Sequence, residues 1–159
     1  MRQREDSRRI RQVQWANRSL QLAGRFDEAG QQYATVLQAD PANVIALNNQ
    51  AWILREKNSA QALEYARKAA ELAPDSADVL DTLAMVEYAG RDYARAQRSI
   101  ERALKKSPEH PSMLYHSAMI AAALDDKAAA RATLKKLLAN HTDFPEIAEA
   151  EALAGKLGD

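Results

Sequence analysis

Ala62-Leu-Glu-Tyr-Ala-Arg-Lys-Ala-Ala-Glu-Leu-Ala-Pro74 decides the fold, because its first and last residues recur along the chain. The alanine series is Ala29, Ala62, Ala96 and Ala130, at spacings of 33, 34 and 34 residues, and the proline returns as Pro41 and Pro108. A fixed period near 34 marks a repeated helix–turn–helix unit. Such a unit cannot bury its apolar face alone, so neighbours must cover one another.

Within each period apolar residues fall three and four apart, as on one face of a helix. Ile10, Val13, Ala16, Leu20 and Ala23 predict a helix over about 8–23, stopped by Gly24. The next, over 27–39, turns Ala29, Tyr33, Val36 and Leu37 inward. It ends at Asp40-Pro41, because the residue before proline is pushed out of the helical region. Asn43 is expected to cap a helix with Ile45, Leu47, Ala51 and Leu54 inward. Asn58 is expected in a left-handed turn, with Ser59 capping the helix of Ala62, Leu63, Ala66, Ala69 and Ala70. A third pair is expected to open at Ser76, break at Gly90 and resume after Asp92. A fourth opens with Pro111, favoured at a helix's first position, and resumes after Asp126.

One helix is left over, from Pro145 to about Leu157, with an apolar stripe of Ile147, Ala150, Leu153, Ala154 and Leu157. Glu146, Glu149, Glu151 and Lys156 make its other face polar, as expected of a solenoid's cap. The first repeat has no such cover over Val13, Trp15 and Leu20. That asymmetry leads to two expectations: a chain that continues upstream, or a homo-oligomer through the uncapped first repeat.

At 159 residues with 47% apolar and 28% charged side chains, the chain is one domain's worth and not disordered. Its formal net charge of +0 argues against a nucleic-acid binder that relies on overall charge. The absence of cysteine excludes disulfides, thiol catalysis and cysteine zinc sites. No apolar run approaches the ~20 residues of a membrane span, and Met1-Arg2-Gln3-Arg4 leads into no signal core. The expectation is no nucleic acid, no direct membrane insertion and no signal peptide. The ends differ in sign: residues 1–18 carry six arginines against two acids, and 140–159 one lysine against five acids. A basic head and an acidic tail can steer head-to-tail association, or serve only as solvated ends.

Gly24-Arg25-Phe26-Asp27-Glu28-Ala29 and Gly90-Arg91-Asp92-Tyr93-Ala94-Arg95-Ala96, with the endings Leu37 to Pro41 and Leu72-Ala73-Pro74-Asp75, resemble the tetratricopeptide repeat. The resemblance covers about 10–142. It implies an all-α, right-handed superhelix of four helix-turn-helix repeats (about 10–43, 44–76, 77–110 and 111–142). A charged segment precedes them at 1–9, and a capping helix follows at 143–159. Two departures stand out. The second repeat is one residue short around Asn58, and Thr142 replaces the last proline. Ala46 to Leu54, Asp78 to Ala84 and Asp143-Phe144-Pro145-Glu146 also resemble the carboxyl end of bacterial envelope repeat lipoproteins of exopolysaccharide export, including the exosortase-associated type. That would imply a periplasmic scaffold; otherwise the chain is expected in the cytoplasm.

In the family's fold the first helix of each pair lines a concave groove. The resemblance therefore implies groove positions at Arg11, Gln14, Trp15 and Arg18; at Asn48, Asn49, Trp52 and Arg55; at Asp78, Asp81, Thr82, Met85 and Tyr88; and at Tyr115, His116 and Met119. Aromatic and methionine anchors among amides suit a protein or peptide partner. Trp52, Met85, Tyr88 and Tyr115 are the leading cluster, although each is also a plausible packing residue. The positions with which some relatives grip a terminal carboxylate hold Gln14, Arg18, Asn49, Asp78 and Thr82, and Asp78 has the wrong sign.

No catalytic, metal or cofactor residues are expected. His110, His116 and His141 lack metal spacing and are expected to be solvated, and no glycine-rich phosphate loop exists. The function implied is a non-catalytic interaction scaffold binding a partner in its groove. The alternative is a purely structural spacer or a self-associating array.

Overall fold

A computed structural model describes residues 26–158. Among them are eight α-helices and no strand: α1 (Phe26–Ala39), α2 (Val44–Leu54), α3 (Ser59–Leu72), α4 (Ala77–Ala89), α5 (Tyr93–Lys106), α6 (Pro111–Ala123), α7 (Lys127–Asn140) and α8 (Ile147–Gly158). The all-α reading therefore stands. The helix expected over 8–23, with Arg11, Gln14, Trp15, Arg18 and the stop at Gly24, lies outside the described residues. The chain divides between Pro74 and Asp75 into two compact units, α1–α3 and α4–α8.

The sequence period reappears as a period of packing. Ala29, Ala62, Ala96 and Ala130 are each the fourth residue of their helix, and each is 0% exposed. A methyl group lets the neighbouring helix approach closely; a larger side chain there would force the pair apart. Each proline likewise stands two residues beyond its helix. Ala73 and Ser107, which precede prolines, leave the helix at φ −135° and −138° and still donate their N–H to Ala69 O and Ala103 O. His141 exits at φ −132° and donates to Leu137 O although Thr142 follows it. The junction thus survives the loss of the proline.

In the first unit Ala29, Tyr33, Val36, Ala46 and Ile53 form the core, with Leu37 against it. Burial pushes the Tyr33 phenol above its ordinary value. In the second unit Leu80, Ala84, Ala96, Ile100, Ala103, Met113 and Ile120 form one cluster. Leu114, Ala118, Ala130, Leu134, Leu137, Phe144, Ala150 and Leu157 form another, and Leu104 packs against both.

Four helix starts are capped as expected. Asn43, Ser76, Asp92 and Asp126 accept from the backbone N–H three residues on, at 3.1, 3.4, 3.2 and 2.9 Å. Two local expectations are corrected, at Asn58 and at Ile45. Asn58, not Ser59, caps α3, accepting from Gln61 N at φ −150°, so it takes no left-handed turn. Gly90 closes α4 as expected, at an ordinary φ of −75°, and the backbone turns left-handed at Arg91 and, thirty-four residues later, at Asp125, both at φ 62°. Ile45 is 49% exposed rather than inward, because the buried arc of α2 runs through Ala46, Leu47, Gln50, Ala51 and Ile53.

Candidate functional site

The second unit holds an open cleft of about 470 Å³ among α4, α6 and α8. Tyr88 from α4, Tyr115 and Met119 from α6, and Leu153 from α8 supply its large side chains. Ala122, Ala123 and Ala152 keep the wall between them shallow, and Glu149 and Lys156 stand two turns apart along α8. Each residue arrives there by register: Tyr115 and Met119 are four apart on α6, hence on one face, and α8 packs against α7 through Ala150 and Leu157. Tyr88 is steadied by the Tyr93 ring, 5.3 Å away between centroids. Burial raises the Tyr115 phenol, with Glu149, Tyr88 and Glu146 adding to the shift, so its hydroxyl stays protonated as a donor.

Thus Tyr88, Tyr115 and Met119, three of the expected groove residues, line one cleft. The other five of the same unit do not line it. Met85 is 7% exposed and lies in the interior. His116, expected at the surface, is 4% exposed, and its Nδ1 stands 2.7 Å from Asp81 Oδ1. A carboxylate only accepts, so Nδ1–H donates, and the pair ties α6 to α4. Asp81 is therefore engaged in a helix-to-helix link. Thr82 is buried and Asp78 exposed, neither lining the cleft.

In the first unit two of the expected groove side chains bond to carbonyls of α2. Asn49 Nδ2 donates to Ile45 O at 2.7 Å. The Arg55 guanidinium lies 3.9 Å from the centroid of the Trp52 ring and donates to Trp52 O at 2.5 Å. Burial pulls its pKa down, with Glu56 working against the shift. Asn48 is half-buried with an Oδ1 that no donor among the described residues reaches.

The sequence reading missed the part played by α8. The sequence pattern implies only a capping role for it, yet Glu149, Leu153 and Lys156 form one wall of the cleft. The signal was present: Leu153 and Lys156, three apart, share a face that also carries Glu149. Among the described residues no group of three or more His, Asp or Glu side chains is placed to hold a metal ion.

The family model described as tetratricopeptide repeat matches residues 18–77 and 82–146. No curated protein matches the chain in sequence. The solved structures that superpose well include three of differing kind. The tetratricopeptide repeat protein TTC0263 of Thermus thermophilus gives a TM-score of 0.77 at 18% identity, covering 92% of this chain and 80% of that one. MamA from Desulfovibrio magneticus gives 0.68 at 18% identity, covering 79% and 72%. A mutant O-GlcNAc transferase of Thermobaculum terrenum gives 0.80 at 23% identity, covering 87% of this chain but 27% of the enzyme. At such identities the likeness is one of fold.

Proposed function

The chain belongs to the tetratricopeptide repeat family, and from that premise we propose that it is a non-catalytic scaffold holding a segment of a partner protein in the α4–α6–α8 cleft. The family's fold serves protein–protein interaction generally. One observation supports the cleft over other surfaces: Tyr88, Tyr115 and Met119 converge there with Leu153 around open space. Tyrosine offers a large amphipathic surface while immobilising only two side-chain torsions, and methionine adapts its shape. An apolar partner side chain would seat between them, and the shallow alanines would let its backbone approach. Glu149 and Lys156, opposite in sign along α8, would set the direction in which a charged segment lies.

The test is to fill the cleft rather than empty it. Ala123→Trp adds bulk to a half-buried wall residue without removing any core group. A photo-reactive residue at Met119, and a control at Arg98 on α5, which does not line the cleft, report who binds where. Crosslinking at Met119 that disappears with Ala123→Trp, at unchanged melting temperature, supports the reading. Crosslinking equal at both positions, or untouched by the tryptophan, leaves the structural-spacer role instead.

A further inference from the structure

Formal neutrality conceals a strongly polarised second unit. α5 carries five basic residues against one acid, and α7 carries four against none. α4, α6 and α8 together hold a single lysine, Lys156, and no arginine. All nine basic side chains of α5 and α7 are exposed. Arg98, Arg102 and Lys105 follow one another at four and three residues, so they form one stripe, and Arg95 extends it by a turn. Some of the charge is already paired: Arg95 with Asp92, Lys106 with Asp75, Lys127 with Asp125 and Lys136 with Glu109, while Arg131 donates to Leu157 O. Arg98, Lys105 and Lys135 make no ion pair among the described residues.

We propose that the outer side of α5 and α7 is a peripheral docking surface for an anionic lipid bilayer. Charge complementarity carries the inference, and the rest of the surface selects the partner. Besides the basic residues, the exposed side chains of α5 and α7 are alanines, Gln97, Glu101 and Asn140; there is no exposed aromatic or large aliphatic group. A protein partner needs such anchors, and so does single-stranded nucleic acid, which binds by stacking on aromatic rings. A bilayer needs neither. Its surface potential attracts each nearby Lys or Arg separately, whatever the shape between them. None of α5 or α7 lines the α4–α6–α8 cleft, so a chain lying on this face keeps that cleft open. The interaction is at the surface, since no helix among the described residues is long and apolar enough to cross a membrane.

The full chain is to be floated with vesicles of phosphatidylcholine alone and with vesicles carrying about one-third phosphatidylserine, over a range of salt. Binding is expected only to the anionic vesicles, weakening steeply as salt rises. The variant Arg98→Glu/Lys105→Glu/Lys135→Glu removes three exposed charges that make no ion pair, so its melting temperature should be unchanged. Its partition should fall by at least about a hundredfold, at roughly fivefold per charge. Wild-type partition no greater on anionic than on neutral vesicles at low salt overturns the proposal. So does undiminished binding of the triple variant, which would assign the effect to the arginines of residues 1–18. Displacement from the vesicles by duplex DNA at equal phosphate concentration would make nucleic acid the partner and equally overturn it.

Discussion

α2 and α6 both present expected groove side chains, yet the contacts described for them differ. On α2, Asn49 and Arg55 bond to carbonyls of their own helix, and the Arg55 guanidinium covers the Trp52 ring. On α6, Tyr115 and Met119 look into open space that α8 walls on the far side. Register alone therefore does not decide whether a side chain faces open space. A long polar side chain can satisfy itself on its own helix and cover its neighbour, whereas an aromatic or thioether chain needs a partner surface. The difference lies in α8 and in the packing that holds it.

Removing α8 is the most severe way to break the contrast. Deletion of residues 145–159 uncovers Leu134, Leu137 and Phe144, and takes Ile147, Leu153 and Leu157 out of the core. The expected loss is on the order of 5 kcal/mol, with association through the exposed face. Urea unfolding and light scattering read both. A truncated chain that is monomeric with an unchanged midpoint would deny α8 its covering role.

A single core truncation should cost somewhat less. Leu134 is 1% exposed within the α6–α7–α8 cluster, so Leu134→Ala should cost about 2–5 kcal/mol. Leu63, on α3 of the first unit, is only half-buried. Leu63→Ala should cost less than Leu134→Ala, which thermal melts of the two variants would show. Equal losses would mean that the two units are covered alike.

The fold was legible because the repeat imposes hard steric demands at few places. Ala96 and Ala130 must be small and Pro74 must end a helix, so the sequence pattern and the packing coincide. The cleft was half legible. Tyr88, Tyr115 and Met119 could be read from register, but a register of 3.6 cannot say whether a residue at the edge of an arc is covered by the next helix. Met85 and His116 fall on the covered side. His116 looked like a solvated histidine because its carboxylate partner, Asp81, is 35 residues away, about one full repeat. Nothing in the residue type at position 91 announces its left-handed backbone, since arginine, unlike glycine, does not favour a positive φ.

The His116–Asp81 link offers a third, smaller effect. His116→Leu keeps bulk but leaves a carboxylate whose side chain is 14% exposed without that donor. The expected cost is about 1–3 kcal/mol. Adding Asp81→Leu should recover part of it, because the stranded acceptor is removed. Strict additivity in this double-mutant cycle would show that the pair contributes nothing as a pair.

The smallest effects separate the junctions of the two units. The residue after the proline is Asp75 before α4 and Glu109 before α6, but Ala42 before α2. Asp75 accepts from Lys106 Nζ at 2.6 Å and Glu109 from Lys136 Nζ at 2.8 Å, so each acid reaches the end of the outer helix that follows. These hydrogen bonds, with the ammonium charges behind them, hold both carboxyls below their ordinary values. A carboxyl whose folded value is depressed stabilises the fold above its unfolded value, about 4, and loses that contribution as pH falls through the folded value. Wild type should therefore lose stability on acidification more steeply than Asp75→Asn/Glu109→Gln, and the two curves should converge below about pH 3. Both acids are fully exposed, so salt should shrink the gap at neutral pH as well. Melts from about pH 7 to about pH 2, at low and high salt, check the sign. Parallel curves at every pH would mean that the two lysines only graze the acids after the prolines, and that the junctions before α4 and α6 are tied no more firmly than the one at Ala42.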